Sequence, residues 1–208
     1  MTYTLYDYHR SSTAYRVRIA LNWKGIAYDT VPVSLLAGEQ RGDAHRARNP
    51  MASVPVLDTG ERMLSQSLAI IDWLDARRPD PRLIPADPDE RADSLARAYL
   101  IGCDIHPLDN LRVLHWLKDF GLAQDERDRW YAHWIHEGFG ALERLAGEGP
   151  YLGGDTPDLS DVCLLPQMHN ARRFAVDVGA YPRLCRIADA LGALDEWAAA
   201  HPDRIAPA

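Results

Sequence analysis

Over the first 78 residues the apolar positions switch repeatedly between two periods. Residues 2–6 alternate, with Tyr3 and Leu5 on one face, and predict a short strand. Behind it Ala14, Val17, Ala20 and Leu21 recur at helical spacing, and Gly25 is placed to stop the helix. Residues 28–32 predict a second strand, and the polar stretch 37–49 a loop with a short helix. Residues 54–57 and 62–64 form a hairpin pattern across Asp58-Thr59-Gly60-Glu61, where Gly60 gives the turn its backbone freedom. Leu68, Ile71 and Leu74 then mark a helix over 65–77, with Ser65 or Gln66 near its cap. The order β-α-β-α-β-β-α predicts a small α/β sandwich.

Prolines punctuate the linker that follows, in Arg78-Pro79-Asp80-Pro81 and Pro85-Ala86-Asp87-Pro88, and beyond it the alternating pattern vanishes. Helices are predicted over 90–118, 125–146, 158–174, 181–191 and 194–200. Asp158-Leu159-Ser160-Asp161 reads as a capping box with Asp in place of Glu. The expected organisation is an α/β domain over residues 1–80 and an all-α domain over 88–208.

A net charge of −7 excludes the basic footprint of a nucleic-acid binder. Cys103, Cys163 and Cys185 are odd in number and scattered, so a reducing compartment is expected rather than a disulfide framework. There is no signal-peptide pattern and no apolar run that could span a bilayer. The expected location is the cytoplasm, with no membrane partner.

Candidate chemistry starts at Ser11-Ser12-Thr13, between the first strand and the first helix. Hydroxyls and unpaired backbone N–H groups converge there on the positive end of a helix, a setting that favours an anion or a thiolate. Helix capping alone also accounts for a serine pair. Val54-Pro55 opens the third strand and removes one ladder N–H, exposing the Val54 backbone to an extended partner. Gln66-Ser67 opens the third helix and repeats the combination of a hydroxyl with a helix N-terminus, which suits a carboxylate. His133 and His136 share a helix face between Trp130 and Trp134, but no third ligand stands at metal-binding spacing, and no metal site is expected.

Together these pieces resemble the glutathione S-transferase superfamily, with its thioredoxin-like first domain and helical second domain, and most closely its zeta class of maleylacetoacetate and maleylpyruvate isomerases. The matching segments are Ser11-Ser12 with Tyr15-Arg16-Val17-Arg18-Ile19-Ala20-Leu21, Gly38-Glu39-Gln40, Asn49-Pro50-Met51, Val54-Pro55, Gln66-Ser67-Leu68-Ala69-Ile70-Ile71 and Cys103-Asp104-Ile105-His106-Pro107-Leu108. Many zeta members carry a cysteine where this chain has Thr13, so no protein cysteine is available for chemistry at this point, while a hydroxyl is kept.

The resemblance implies glutathione as cofactor, held by Gln40, Val54, Pro55, Gln66, Ser67, His106 and Asn110. It implies a thiolate stabilised by Ser11, Ser12 or Thr13, with Ser11 foremost, although the residue types alone do not separate the three. Reversible addition of that thiolate to a maleyl keto acid would allow rotation to the fumaryl isomer. A substrate with two carboxylates calls for arginines, and Arg10, Arg112 and Arg173 are the candidates. His106 and Asn110 are expected to share one face of a single long helix. A homodimer is also implied. The competing readings are a general glutathione-conjugating transferase and a non-catalytic binding protein of the same fold.

Overall fold

The computed structural model describes residues 2–206. Strand β1 (Tyr3–Asp7) lies one residue beyond its expected place and leads through a tight loop into α1 (Ser12–Trp23). Strand β2 (Tyr28–Pro32) pairs parallel to β1, and the crossover that a parallel pair requires is α1 itself. After a 3₁₀ turn at Glu39–Arg41 and the short α2 (Asp43–Arg46), β3 (Val56–Asp58) and β4 (Met63–Ser65) complete a sheet of order β2-β1-β3-β4. In that sheet Leu5 is opposite Leu57, and both side chains are fully buried. Helix α3 (Ser67–Arg77) packs on α1 and starts two residues later than expected, because Ser65 is still paired with Val56 in the sheet.

The apolar stripe of α1 is wider than its periodicity implies: every residue from Ala14 to Leu21 is buried, including Arg16 and Arg18. Arg18 is 1% exposed and ties three segments together. Its guanidinium donates to both carboxyl oxygens of Asp7, at 2.9 and 2.7 Å, to the His9 carbonyl at 3.1 Å and to the Ala200 carbonyl at 3.0 Å. Lys24 plays a similar part at the other end of α1, donating to Asp75 and to the Arg78 and Pro81 carbonyls. Gly25 follows with a φ of +59°, the left-handed conformation that ends the helix.

The chain forms two compact units. The first runs to Leu83 and also takes in the tail from Leu194 onward, and the second spans Ile84–Ala193. This corrects the expected second domain of 88–208. Helix α9 (Asp195–Ala199) packs on α1, Trp197 meets Trp23 edge to face, and the segment belongs with the sheet. A further short helix, α10 (Pro202–Ile205), escaped the periodicity reading.

In the second unit, the expected helix over 90–118 is divided in three. Helix α4 (Pro88–Tyr99) passes into a π-helical turn (Leu100–Ile105), and a new helix, α5 (Leu111–Asp119), begins after it. Pro107 cannot donate to a continuing helix, and the Asn110 side chain accepts from the Arg112 N–H to cap a fresh start. Helices α6 (Gln124–Leu145), α7 (Leu159–Arg173) and α8 (Pro182–Gly192) complete the bundle, and the Asp158/Asp161 capping box opens α7 as expected. Gly138 of α6 lets the π turn approach closely: a Cβ there would stand 2.1 Å from Ile105 Cδ1.

Replacing Arg18 by Met leaves the Asp7 carboxylate buried without its partner and should cost about 3–5 kcal/mol of stability. Urea unfolding measures this, and the double variant Asp7→Leu/Arg18→Met should lose less than the single one.

Candidate functional site

The loop between β1 and α1 concentrates hydroxyls at one point. Ser11 adopts an extended backbone (φ −74°, ψ 117°), and its Oγ accepts from the Ala14 N–H at 3.2 Å. Ser11 Oγ and Thr13 Oγ1 are 2.9 Å apart, and the Thr13 hydroxyl donates to the Val54 carbonyl at 3.1 Å. A hydroxyl has one proton. With the Thr13 proton committed to Val54, the contact between the two side chains must run from Ser11 to Thr13. The result is a directional relay, Ala14 N–H to Ser11 to Thr13 to the Val54 carbonyl, at the positive end of α1. Ser12 is 6% exposed and faces inward, which separates it from Ser11.

The Val54 carbonyl accepts from the Thr13 hydroxyl, which uses one of its two lone pairs and ties the start of β3 to the hydroxyl pair. The Val54-Pro55 bond is cis, and the loop before it is held by Asn49 Nδ2 donating to the Ser53 carbonyl at 2.8 Å and by His45 Nε2 3.0 Å from that same carbonyl. Gln66 occupies the N-cap position of α3 with a φ of +69°, a conformation disfavoured for a residue with a side chain. Its side chain makes no capping bond, while Ser67 follows as the first helical residue, 5% exposed. Gln40, in the 3₁₀ turn, has a buried Oε1 with no hydrogen-bond donor. The first unit thus presents two helix starts that suit anions, a hydroxyl pair, and a buried acceptor awaiting an N–H. A short peptide with a thiol, carboxylates and N–H groups matches that set.

The candidates of the second unit form a separate group. His106 and Asn110 do come together, with Asn110 Nδ2 3.4 Å from His106 Nε2, but not because they share a helix. His106 closes the π turn, its N–H donating to the Ile101 carbonyl, and Asn110 caps α5. Arg112 is exposed in the first turn of α5. Arg173 is exposed in the last turn of α7, its guanidinium 4.9 Å from the Phe174 ring centroid, and Phe174 stacks on Tyr131 at 4.1 Å. Its neighbour Arg172 is paired with Asp189. Arg10, in the first unit, is exposed beside the hydroxyl pair. Among the described residues none of Arg10, Arg112 and Arg173 carries an ion pair, and no cluster of three or more His, Cys, Asp or Glu could hold a metal ion.

One residue of this region was not visible in the pattern of the chain. Asp109, between His106 and Asn110, is 7% exposed, and neither carboxyl oxygen has a hydrogen-bond partner. Burial pushes its pKa up to about 8. Periodicity carried no signal for it, since it lies in the break between the π turn and α5.

The sequence model described as "Glutathione S-transferase, N-terminal domain" matches residues 5–82. The maleylacetoacetate isomerase of Pseudomonas aeruginosa is 44% identical over 201 residues, 95% of each chain. A holo structure of a bacterial zeta-class maleyl pyruvate isomerase superposes with a TM-score of 0.96 at 44% identity, covering 99% of both chains. The maleylacetoacetate isomerase of Anaeromyxobacter dehalogenans, solved with glutathione in its active site, gives a TM-score of 0.89 at 44% identity over 100% of this chain and 98% of that one. The chain belongs to the zeta class of the glutathione S-transferases.

Ser11→Ala removes the cap of α1 and the donor to Thr13, and should lower stability by about 1 kcal/mol. Equilibrium unfolding in urea checks this, with Ser12→Ala as the comparison.

Proposed function

We propose that this protein is a glutathione-dependent cis–trans isomerase of a maleyl keto acid, converting maleylacetoacetate to fumarylacetoacetate in the breakdown of aromatic compounds. The hydroxyl relay at the start of α1 carries this reading. Glutathione, when bound, supplies the thiol nucleophile that is regenerated in each cycle. Ser11 is the donor to its sulfur. The Ser11 proton is committed only to another hydroxyl, which retains other ways of being satisfied, whereas the Thr13 proton is fixed on the Val54 carbonyl. A charge-assisted bond to a thiolate is stronger than the neutral bond it replaces. Thr13 then positions Ser11, and the α1 dipole adds to the stabilisation.

The remaining roles follow from charge and placement. Ser67 and the N-terminus of α3 receive a carboxylate, and Gln66 and Gln40 fix the polar groups beside it, Gln40 through its unmatched Oε1. Val54 and Pro55 line the path of the peptide, and His106 and Asn110 contact glutathione as a hydrogen-bonded pair. Arg10, Arg112 and Arg173, unpaired among the described residues, serve the substrate carboxylates. Maleylpyruvate is the second candidate substrate, favoured by the hydroxyl of Thr13 where many relatives have a thiol. The three free cysteines support a reducing, cytoplasmic setting, and no helix of the structure is long and apolar enough to cross a membrane. A homodimer belongs to the reading, each copy with an α/β unit completed by residues from 194 onward and a helical unit over Ile84–Ala193.

Purified protein with glutathione should isomerise maleylacetone or maleylpyruvate, followed by the change in ultraviolet absorbance. Failure on both acids while glutathione still binds would rule out the isomerase reading. Arg173→Ala should raise KM for the keto acid about tenfold or more and leave that for glutathione nearly unchanged, because a carboxylate–arginine bond contributes roughly 1.5–3 kcal/mol. Equal changes in both constants would remove Arg173 from carboxylate recognition.

A further inference from the structure

The turn over residues 106–112 carries three of the proposed site residues, His106, Asn110 and Arg112, yet the residue at its centre faces the other way. Asp109 is buried, and neither oxygen of its carboxyl meets a protein donor. Helix α6 supplies the neighbours. Trp130 donates its indole N–H to the Leu108 carbonyl at 2.9 Å, holding the turn one residue before Asp109. Tyr131 is 2% exposed, and its phenol is pushed to a higher pKa by burial and by Asp109, while Arg173 of α7 opposes them. Ile105, immediately before the turn, fills the space left by Gly138 of α6. The turn is thus held at Ile105 and at Leu108, and Asp109 is enclosed beside them.

We propose that Asp109 is a positioning residue whose buried, unpaired carboxyl seats the 106–112 turn against α6 and so sets the spacing of His106, Asn110 and Arg112. The inference rests on the reading above that His106 and Asn110 hold glutathione.

A neutral carboxyl fits this seat and a carboxylate does not. The charged form would be buried with no protein donor on either oxygen. Burial holds the Asp109 proton up to about pH 8. The charged and titratable groups around it are Tyr131 from α6, which Asp109 shifts, and Arg173 from α7, which acts on that same phenol, while His106 and Arg112 lie three residues away on its own turn. Arg173 is exposed and is not among the causes that shift Asp109. Above that pH the carboxyl ionises and the turn leaves its seat. The sign follows: a folded-state pKa raised above the ordinary carboxyl value makes the seated form favoured in acid and lost as pH rises through about 8.

Trp130 reports the seat directly, because its indole bond to Leu108 breaks when the turn moves. The emission of the wild-type protein, taken as the difference from Trp130→Phe, should change between pH 7 and pH 9 with a midpoint near 8. The change should vanish in Asp109→Asn, which keeps the shape without the charge. If only the seated form binds, the Kd for S-methylglutathione should rise about tenfold between those pH values in the wild type relative to Asp109→Asn. The comparison of two proteins with one ligand cancels the ligand's own titration.

A raw wild-type emission that stays constant over this range overturns the proposal without any variant, and a constant difference from Trp130→Phe overturns it where the raw emission changes. A transition that persists in Asp109→Asn overturns it equally. An emission transition that depends on Asp109 but leaves affinity untouched upholds the seating and overturns the assignment of His106 and Asn110 to glutathione.

Discussion

The buried pair of Asp7 and Arg18 is the constraint on which the first unit depends. A loop of four residues between β1 and α1 must place Ser11 and Thr13 within hydrogen-bonding range of each other and of Val54. Arg18 makes this possible from one turn and a half further along the helix. By holding the end of β1 through Asp7 and the loop through the His9 carbonyl, it fixes where the helix axis starts relative to the sheet. The arrangement is not an efficient source of stability, since burying two charges offsets most of their attraction. Its value is geometric. An apolar pair of the same volume would fill the space but would leave the direction of the loop undetermined.

A similar logic separates the residues that were legible in the chain from those that were not. Ser11-Ser12-Thr13, Val54-Pro55 and Gln66-Ser67 stood out because helix starts and prolines impose local rules that a short window of residues displays. The strands and the helices of the first 78 residues were placed to within one or two positions for the same reason, as was the Asp158/Asp161 box. The relay from Ser11 through Thr13 to Val54 was hidden, because it joins residues 41 apart and depends on the single proton of each hydroxyl. The division of the 90–118 segment was hidden too. Apolar spacing continues across Pro107, and a π turn changes the count of residues per turn without changing their polarity.

Arginine is the residue type most easily misread here. Composition alone treats an arginine as a solvated surface group, and Arg10, Arg112 and Arg173 are indeed exposed. Arg16 and Arg18 share the same short segment and are among the most deeply buried side chains of the molecule. Only Arg18 has its partners in view, while Nε and Nη2 of Arg16 have none. Exposed Arg10 and buried Arg16 and Arg18 thus stand within nine residues of one another, the same amino acid in opposite surroundings.

The allegiance of the tail has a consequence for how the protein is made. Ala200 and Glu196 accept hydrogen bonds from Arg18 and Asn22, so the unit that starts the chain is completed by residues near its other end. During synthesis the α/β sandwich emerges first, yet the Arg18 guanidinium lacks one of its acceptors until more than 180 residues have followed. The helical unit, contiguous from Ile84 to Ala193, can close while the earlier one still waits. Residues far along the chain thus serve as the clasp of the first unit.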